Sequence, residues 1–526
     1  MLFKYVPNSL KEKLLVIQNL NPLPMKNLKV IVDFVNKHKT KPLQNTVFKE
    51  NSKTLELYHA ISEDRFPSET AAKRYFYPGA PRQLEYFSQL KRSLTERVID
   101  MILLIDFSKS PYETPAKGYN YCAKNVVILN IFYSNTLTSV YLVKMAEKTL
   151  QIALFHGFPD MILACSRFCL HYYLQTDQKT RAKRFKMIVD QYLEALKDEI
   201  DLEYEDSSYR SKEIVTKKKP SEEAITIGLK KATWAKVIMK KHEDSQRVHI
   251  RATILLHKIY SYLALHDELV KTCRHSIQLI KEDPSRFTVP FINITYGTCL
   301  RNLIKLGGYG EAFQLYEERH SYFIEGSRNW YSLHLYYSIL NIHAGKYQTA
   351  FDIYKKAFSF KKLFFKQTKT MQEQWHIFEG YMHILIKAGL IPDPSDAPDF
   401  KISKLDKKVT ILRRDTGGYG ISIRVVEIMH GLLDKDYPTL LDKEEALKVY
   451  MKRYLVNDFT YRVSCLIKML ITIIRCNFHP VRSKAHIKDK KLFSKLKKVP
   501  FKEAYQPDDL EIIPLGILWD IALDSL

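Results

Sequence analysis

The side chains that could carry chemistry are scattered along the chain. Cys165 and Cys169 stand four residues apart, on one face of a helix, where two thiolates could begin a zinc site. Such a site needs a second pair or nearby histidines, and the sequence places neither there. The seven cysteines therefore read as buried structural thiols of a reducing compartment. Among the seventeen histidines, His38, His242, His249 and His257 are isolated. His242-Glu243 lacks the second histidine that a zinc-protease helix sets one turn away. Ser166 follows Cys165 inside an apolar helical pattern, and no Gly-x-Ser-x-Gly elbow occurs. The carboxylate pairs Glu444-Glu445 and Asp508-Asp509 lie near helix starts, where the helix dipole favours them. These patterns predict no catalytic residue, no cofactor and no metal ligand.

One stretch is rich in glycine, RRDTGGYGISIR at 413–424. A phosphate-cradling loop needs G-x-x-x-x-G-K-[ST] or G-x-G-x-x-G after a buried strand. Gly417, Gly418 and Gly420 fit neither pattern, although the preceding VTILRR is faintly strand-like. The stretch reads as a turn before a helix over Ile421–Leu433.

Charge gives the stronger signal. Lys+Arg 82 against Asp+Glu 58 leaves a formal net charge of +24, a field that can attract nucleic acid, an anionic membrane surface or an acidic protein. Spread along a chain, the same lysines also make an ordinary solvated surface. They are densest at 475–502, where ten Lys/Arg face a single acid, Asp489. Leu492, Leu496 and Val499 give this segment one apolar face. Lys484, Lys488, Lys491, Lys495 and Lys498 are its candidate contacts to nucleic acid or an acidic partner. A second candidate is the helix after the Pro78-Gly79-Ala80-Pro81 break. Its apolar face (Leu84, Phe87, Leu90, Leu94, Val98, Met101, Ile105) leaves Arg92 and Arg97 on the polar side, as a winged-helix-like module would.

The elements that must position these residues are helices. Glycine (17) and proline (21) are scarce, while tyrosine (33) and phenylalanine (27) are abundant, as where rings fill gaps between stacked helices. No window holds 18 uninterrupted apolar residues; Cys465 to Ile474 is too short to span a bilayer and contains Lys468. The start, MLFKYVPNSLKEKLL, lacks a signal-peptide pattern. A cytoplasmic protein without a membrane span is expected.

The clearest pattern is internal repetition. Gly308-Tyr309-Gly310-Glu311-Ala312-Phe313 is echoed by Lys346-Tyr347-Gln348-Thr349-Ala350-Phe351. Tyr309→Tyr347, Ala312→Ala350, Phe313→Phe351 and Tyr316→Tyr354 are each 38 residues apart. Weaker copies lie around Leu265 to Ile280, before Gly389, and over 425–455. A tight turn, a wedging aromatic and an alanine at a helix crossing define a helical hairpin. One hairpin cannot bury its apolar face alone, so hairpins stack. The pattern predicts antiparallel hairpins at about 290–322 and 329–360, with over 60% helix and essentially no sheet overall.

The organisation expected is all-α, in three parts. Residues 1–115 form an N-terminal helical cap, and 118–455 an α-solenoid of hairpins, including a pair over 137–175 and a charged loop near 203–221. Residues 456–526 form a C-terminal helical cap containing the basic segment.

GKYQTAFDIYKKAF resembles the turn and second helix of a tetratricopeptide repeat, and GGYGEAFQLYEERH resembles it less closely. The tryptophan-leucine-glycine pattern of that family's first helix is absent and the units are longer than the family's. The resemblance therefore implies divergent hairpins and carries over no peptide-clamp residue. The segments FYPGAPRQLEYFSQLKRSLTERVIDMIL, AEKTLQIALFHGFPDMIL, YMKRYLVNDFTYRVSCLIKML and IIPLGILWDIAL also resemble a family of helical proteins of similar length common in Bacteroidota. That likeness implies a bacterial cytoplasmic setting and no biochemical activity. The functional expectation is a non-catalytic scaffold that recognises a protein partner through a helical-repeat groove. The alternative is a nucleic-acid-binding regulator with basic helices, its repeats acting as the sensor.

Overall fold

The computed structural model describes residues 24–37, 44, 46–105, 114–135, 139–212, 220–320, 323–412, 419–455, 461–501 and 511–526. The described residues are 80% helical, and no strand occurs among them. It divides into two compact units, Met1–Tyr112 and Glu113–Leu526.

The first unit contains α1 (Met25–Lys37), α2 (Lys53–Ser62), α3 (Glu69–Phe76) and α4 (Gln83–Leu104). Ser52 and Ser68 cap α2 and α3, each hydroxyl accepting a backbone N–H at 3.2 Å. The α4 stripe of Phe87, Leu90, Leu94, Val98 and Met101 is buried against Leu28, Val32, Leu57 and Phe76. Leu84, at its start, is exposed. Lys91 is buried too, its ammonium 2.8 Å from the Glu69 carboxylate.

The second unit begins with α5 (Thr114–Ser134), α6 (Val140–His156), α7 (Pro159–Gln175), α8 (Lys179–Lys212), α9 (Glu222–Lys241), α10 (Gln246–Tyr262) and α11 (His266–Glu282). It continues with α12 (Val289–Leu306), α13 (Tyr309–Arg319), α14 (Arg328–His343), α15 (Tyr347–Ser359), the single turn α16 (Lys361–Phe364), α17 (Lys369–Lys387), α18 (Ile402–Lys408) and α19 (Tyr419–Leu433). The last are α20 (Tyr437–Tyr454), α21 (Tyr461–Arg475), α22 (Pro480–Asp489), α23 (Leu492–Lys498) and α24 (Leu515–Asp524). None of the described helices is long and apolar enough to cross a membrane.

The hairpins α12–α13 and α14–α15 lie where the 38-residue spacing places them, and each helix packs on its partner. Their turns are equivalent. Gly307 (φ 75°) and Gly345 (φ 74°) adopt the left-handed conformation that glycine tolerates best. The next N–H in each case returns to a carbonyl five residues back: Gly308 to Leu303 at 2.9 Å and Lys346 to Asn341 at 2.7 Å. The same closure recurs after Gly157, Ala264, Gly389, Lys435 and Asn477. Ala312, Ala350, Phe351 and Tyr354 are fully buried, Tyr316 nearly so, and Tyr309, Phe313 and Tyr347 are half-buried. α12 packs on α14, α14 on α17, α17 on α19 and α19 on α21. One apolar core runs from Leu202 to Ala522, and a second joins Cys122 to Ala195 across α5–α8.

The charged loop expected near 203–221 is corrected over its first half, because α8 continues as helix to Lys212. Its acids are satisfied by bases of the next helices: Glu205 by Lys231 at 2.7 Å, Glu203 by Arg251 at 2.5 Å, and Asp206 by Lys258. Local sequence could not reveal pairing across helices. Residues 213–219 lie outside the described residues.

Candidate functional site

Cysteine and histidine do meet in the interior. The Cys273 thiol lies 3.3 Å from His257 Nε2 between α10 and α11. Burial pushes the His257 pKa down to about 3 and raises the Cys273 thiol well above its usual value. Both groups are therefore neutral, which is the opposite of an activated thiolate–imidazolium pair. His249 Nε2 lies 3.1 Å from the Ser276 hydroxyl, itself 3.2 Å from that of Thr253. Burial lowers His249 to about 4, leaving a neutral imidazole inside the helix interface. Cys165 and Cys169 are buried, and burial raises Cys165 to about 12. Among the described residues, no three His, Cys, Asp or Glu side chains are grouped to hold a metal ion.

In the glycine-rich stretch, residues 413–418, with Gly417 and Gly418, lie outside the described residues. Gly420 is buried in the first turn of α19. The strand-like residues before it are held by a carboxylate. Glu373 on α17 accepts the backbone N–H groups of Thr410, Ile411 and Leu412. An anion therefore already occupies those converging donors, and it belongs to the chain.

In the basic segment, Lys484, Lys488, Lys491, Lys495 and Lys498 are all exposed, while Leu492 and Leu496 are buried and Val499 half-buried. Arg462 anchors this segment from α21. Its guanidinium grips Glu511 at 2.6 and 3.1 Å and donates to the carbonyls of Leu496 (3.2 Å) and Val499 (2.5 Å). On α4, Arg92 is exposed, whereas Arg97 donates to the Val47 carbonyl and so is tied into its own unit.

Sequence reasoning missed a groove between α12 and α14. It is a cavity of about 470 Å³ lined by Asn293, Gly297, Thr298 and Arg301 of α12, by Arg328, Asn329, Ser332 and Tyr336 of α14, and by Met371 of α17. Gly297 keeps it open: a Cβ there would have Tyr336 as its nearest neighbour, 4.0 Å away. Both amide atoms of Asn293 are buried without a hydrogen-bond partner in the chain. An orphaned buried amide costs about 1–3 kcal/mol per polar group, so the α12 wall of this groove carries a packing cost. Residue type gave no signal of the groove, because α12 also carries Thr295, Thr298, Arg301 and Asn302.

No protein-family model matches the chain, and no curated protein or solved structure matches it either.

Proposed function

We propose that the protein is a non-catalytic interaction protein that recognises a protein partner through this groove. In this reading residues 118–455 form an α-solenoid of divergent tetratricopeptide-like hairpins, and its groove between α12 and α14 takes an extended segment of the partner. The observation that carries the reading is the groove between α12 and α14, which Gly297 leaves free of a side chain. The recurring helix terminations and the packing of α12 on α14 support it. The neutral His257–Cys273 pair argues for packing, not chemistry, in the interior.

The test is a pull-down from the native cell with wild-type protein and Gly297→Leu, each with and without nuclease. Leucine at 297 suits a helix and fills the groove. A partner retained by wild-type, resistant to nuclease and lost with Gly297→Leu is the expected result. A partner indifferent to Gly297→Leu sinks the reading.

The exposure of Lys484, Lys488, Lys491, Lys495 and Lys498 favours a second reading, a nucleic-acid-binding regulator in which the hairpins act as sensor. Nuclease-sensitive capture would select it.

A further inference from the structure

A second cavity of about 470 Å³ lies between α20 and α21, closed by the junction of α22 and α23. Five cations line it: Lys448 and Lys452 from α20, Lys468 and Arg475 from α21, and Lys490 from the junction. Its other walls include Met451, Leu455, Ile471 and Leu492, and the last three are buried. Lys484, Lys488, Lys491, Lys495 and Lys498 are not among its lining residues, so the pocket is distinct from the exposed lysine face.

Two of the cations are fixed by one carboxylate. Glu444 lies 2.6 Å from the Lys448 ammonium and accepts Arg475 Nε at 2.8 Å, and those two bonds hold its carboxyl below the usual range. Exposed Glu445 also pairs with Lys448. Glu444 thus orders Lys448 and Arg475 while neutralising only part of their charge. Lys452, Lys468 and Lys490 are exposed around the same cavity and add to its positive field. Like charges converging on one concavity repel one another until an anion enters. The Thr472 hydroxyl donates to the Lys468 carbonyl at 2.8 Å, so it is committed to its own helix. Recognition would therefore rest on charge at the rim and apolar contact within.

We propose that this pocket binds a phosphate ester whose esterified group is apolar, the phosphate sitting among Lys468, Arg475 and Lys490 and the apolar group lying against Ile471 and Leu492. Phosphate suits the site because its negative charge and several acceptor oxygens can engage more than one cation. The apolar walls distinguish the pocket from a backbone-tracking nucleic-acid surface, which would set its cations along an open face. The proposal does not depend on the α12–α14 groove.

The test is calorimetric titration of the full chain with phenyl phosphate, inorganic phosphate and a single-stranded oligonucleotide. Phenyl phosphate should bind saturably, about tenfold more tightly than inorganic phosphate, and weaken with added salt. Lys468→Glu with Lys490→Glu should weaken phenyl phosphate at least about tenfold, since both cations face the same anion. Lys484→Glu with Lys488→Glu should leave it unchanged. Both pairs are exposed, and an unchanged melting temperature shows that the fold is intact. Should the first pair unfold the chain, Lys468→Ala with Lys490→Ala serves instead. The proposal is overturned if phenyl phosphate fails to saturate, binds no better than inorganic phosphate, or ignores the Lys468/Lys490 changes. Oligonucleotide binding that outcompetes phenyl phosphate and depends equally on Lys484 and Lys488 also overturns it.

Discussion

The Glu373 carboxylate accepts the backbone N–H of Leu412 at 2.7 Å, and those of Ile411 and Thr410 at 2.9 and 3.0 Å. Glu373 is fully buried on α17, so an ordinary carboxylate there would be raised by desolvation. Burial does push it up, but the backbone donors outweigh that push and its pKa ends below the usual value. One side chain thus fixes the path of the chain from α18 toward α19. Glu373→Gln would set an amide NH₂ against backbone donors and should destabilise the protein by about 2 kcal/mol, measured by urea unfolding. Unchanged stability would mean that residues 410–412 are held by something else.

Acid should destabilise the protein well above the carboxylate range. Burial lowers His257 to about 3, and His249, His266, His334 and His430 to about 4. Unfolded, each titrates near 6.5, so between about 6.5 and about 4 the unfolded chain binds more protons than the folded one. The stability these neutral imidazoles contribute is complete above about 6.5 and is lost as the pH falls toward about 4. Each contributes a slope of at most ~1.4 kcal/mol per pH unit in that window. Melting temperature should therefore drop clearly between pH 7 and pH 5, and His249→Gln should flatten that drop. A flat profile over this range would contradict the burial of these rings.

The two hairpin alanines offer a direct test of register. Ala312 and Ala350 are both fully buried three residues after their turn aromatics, Tyr309 and Tyr347. Leucine at either position adds three carbons where there is no room and should cost roughly 1–3 kcal/mol. Equal melting of both variants and wild-type would place the helix crossings elsewhere.

These hairpins were legible because Gly307 and Gly345 announce left-handed turns 38 residues apart. Equivalent turns at Ala264, Lys435 and Asn477 were hard to read, since the left-handed residue there is not glycine. The length of α8 was hidden for another reason. Its acids look like a solvated linker until Lys231, Arg251 and Lys258 are brought to them in three dimensions. The Asn293 groove escaped because an amide without a partner is a property of packing, invisible in residue type. The exposed turn residue Lys435 (φ 55°) converts this lesson into a prediction. Lys435→Gly removes the left-handed strain at the cost of a freer unfolded chain, for a net gain of roughly 0.5–1 kcal/mol. A loss of stability would show that the lysine stem packs usefully there.

The exposed lysine face is best tested by charge reversal, because its fold is held from beneath. Leu492 and Leu496 are buried, and Arg462 grips Glu511 and the carbonyls that end α23. Lys491, Lys495 and Lys498 project from this framework into solvent, so changing all three to glutamate should leave the melting temperature nearly unchanged. If the face served nucleic acid, wild-type affinity would fall steeply with salt as each phosphate contact released counterions, and the triple change would abolish binding. Under the protein-partner reading, wild-type shows no oligonucleotide binding at this face even at about 50 mM salt, where non-specific contacts are strong. Fluorescence anisotropy with a labelled duplex checks this, and the absence of binding is the outcome expected. Salt-sensitive binding lost in the triple variant would replace the partner groove with the nucleic-acid regulator. Binding that survives the triple change would move the contact elsewhere, to exposed Arg92 before Arg97, which the Val47 carbonyl already engages.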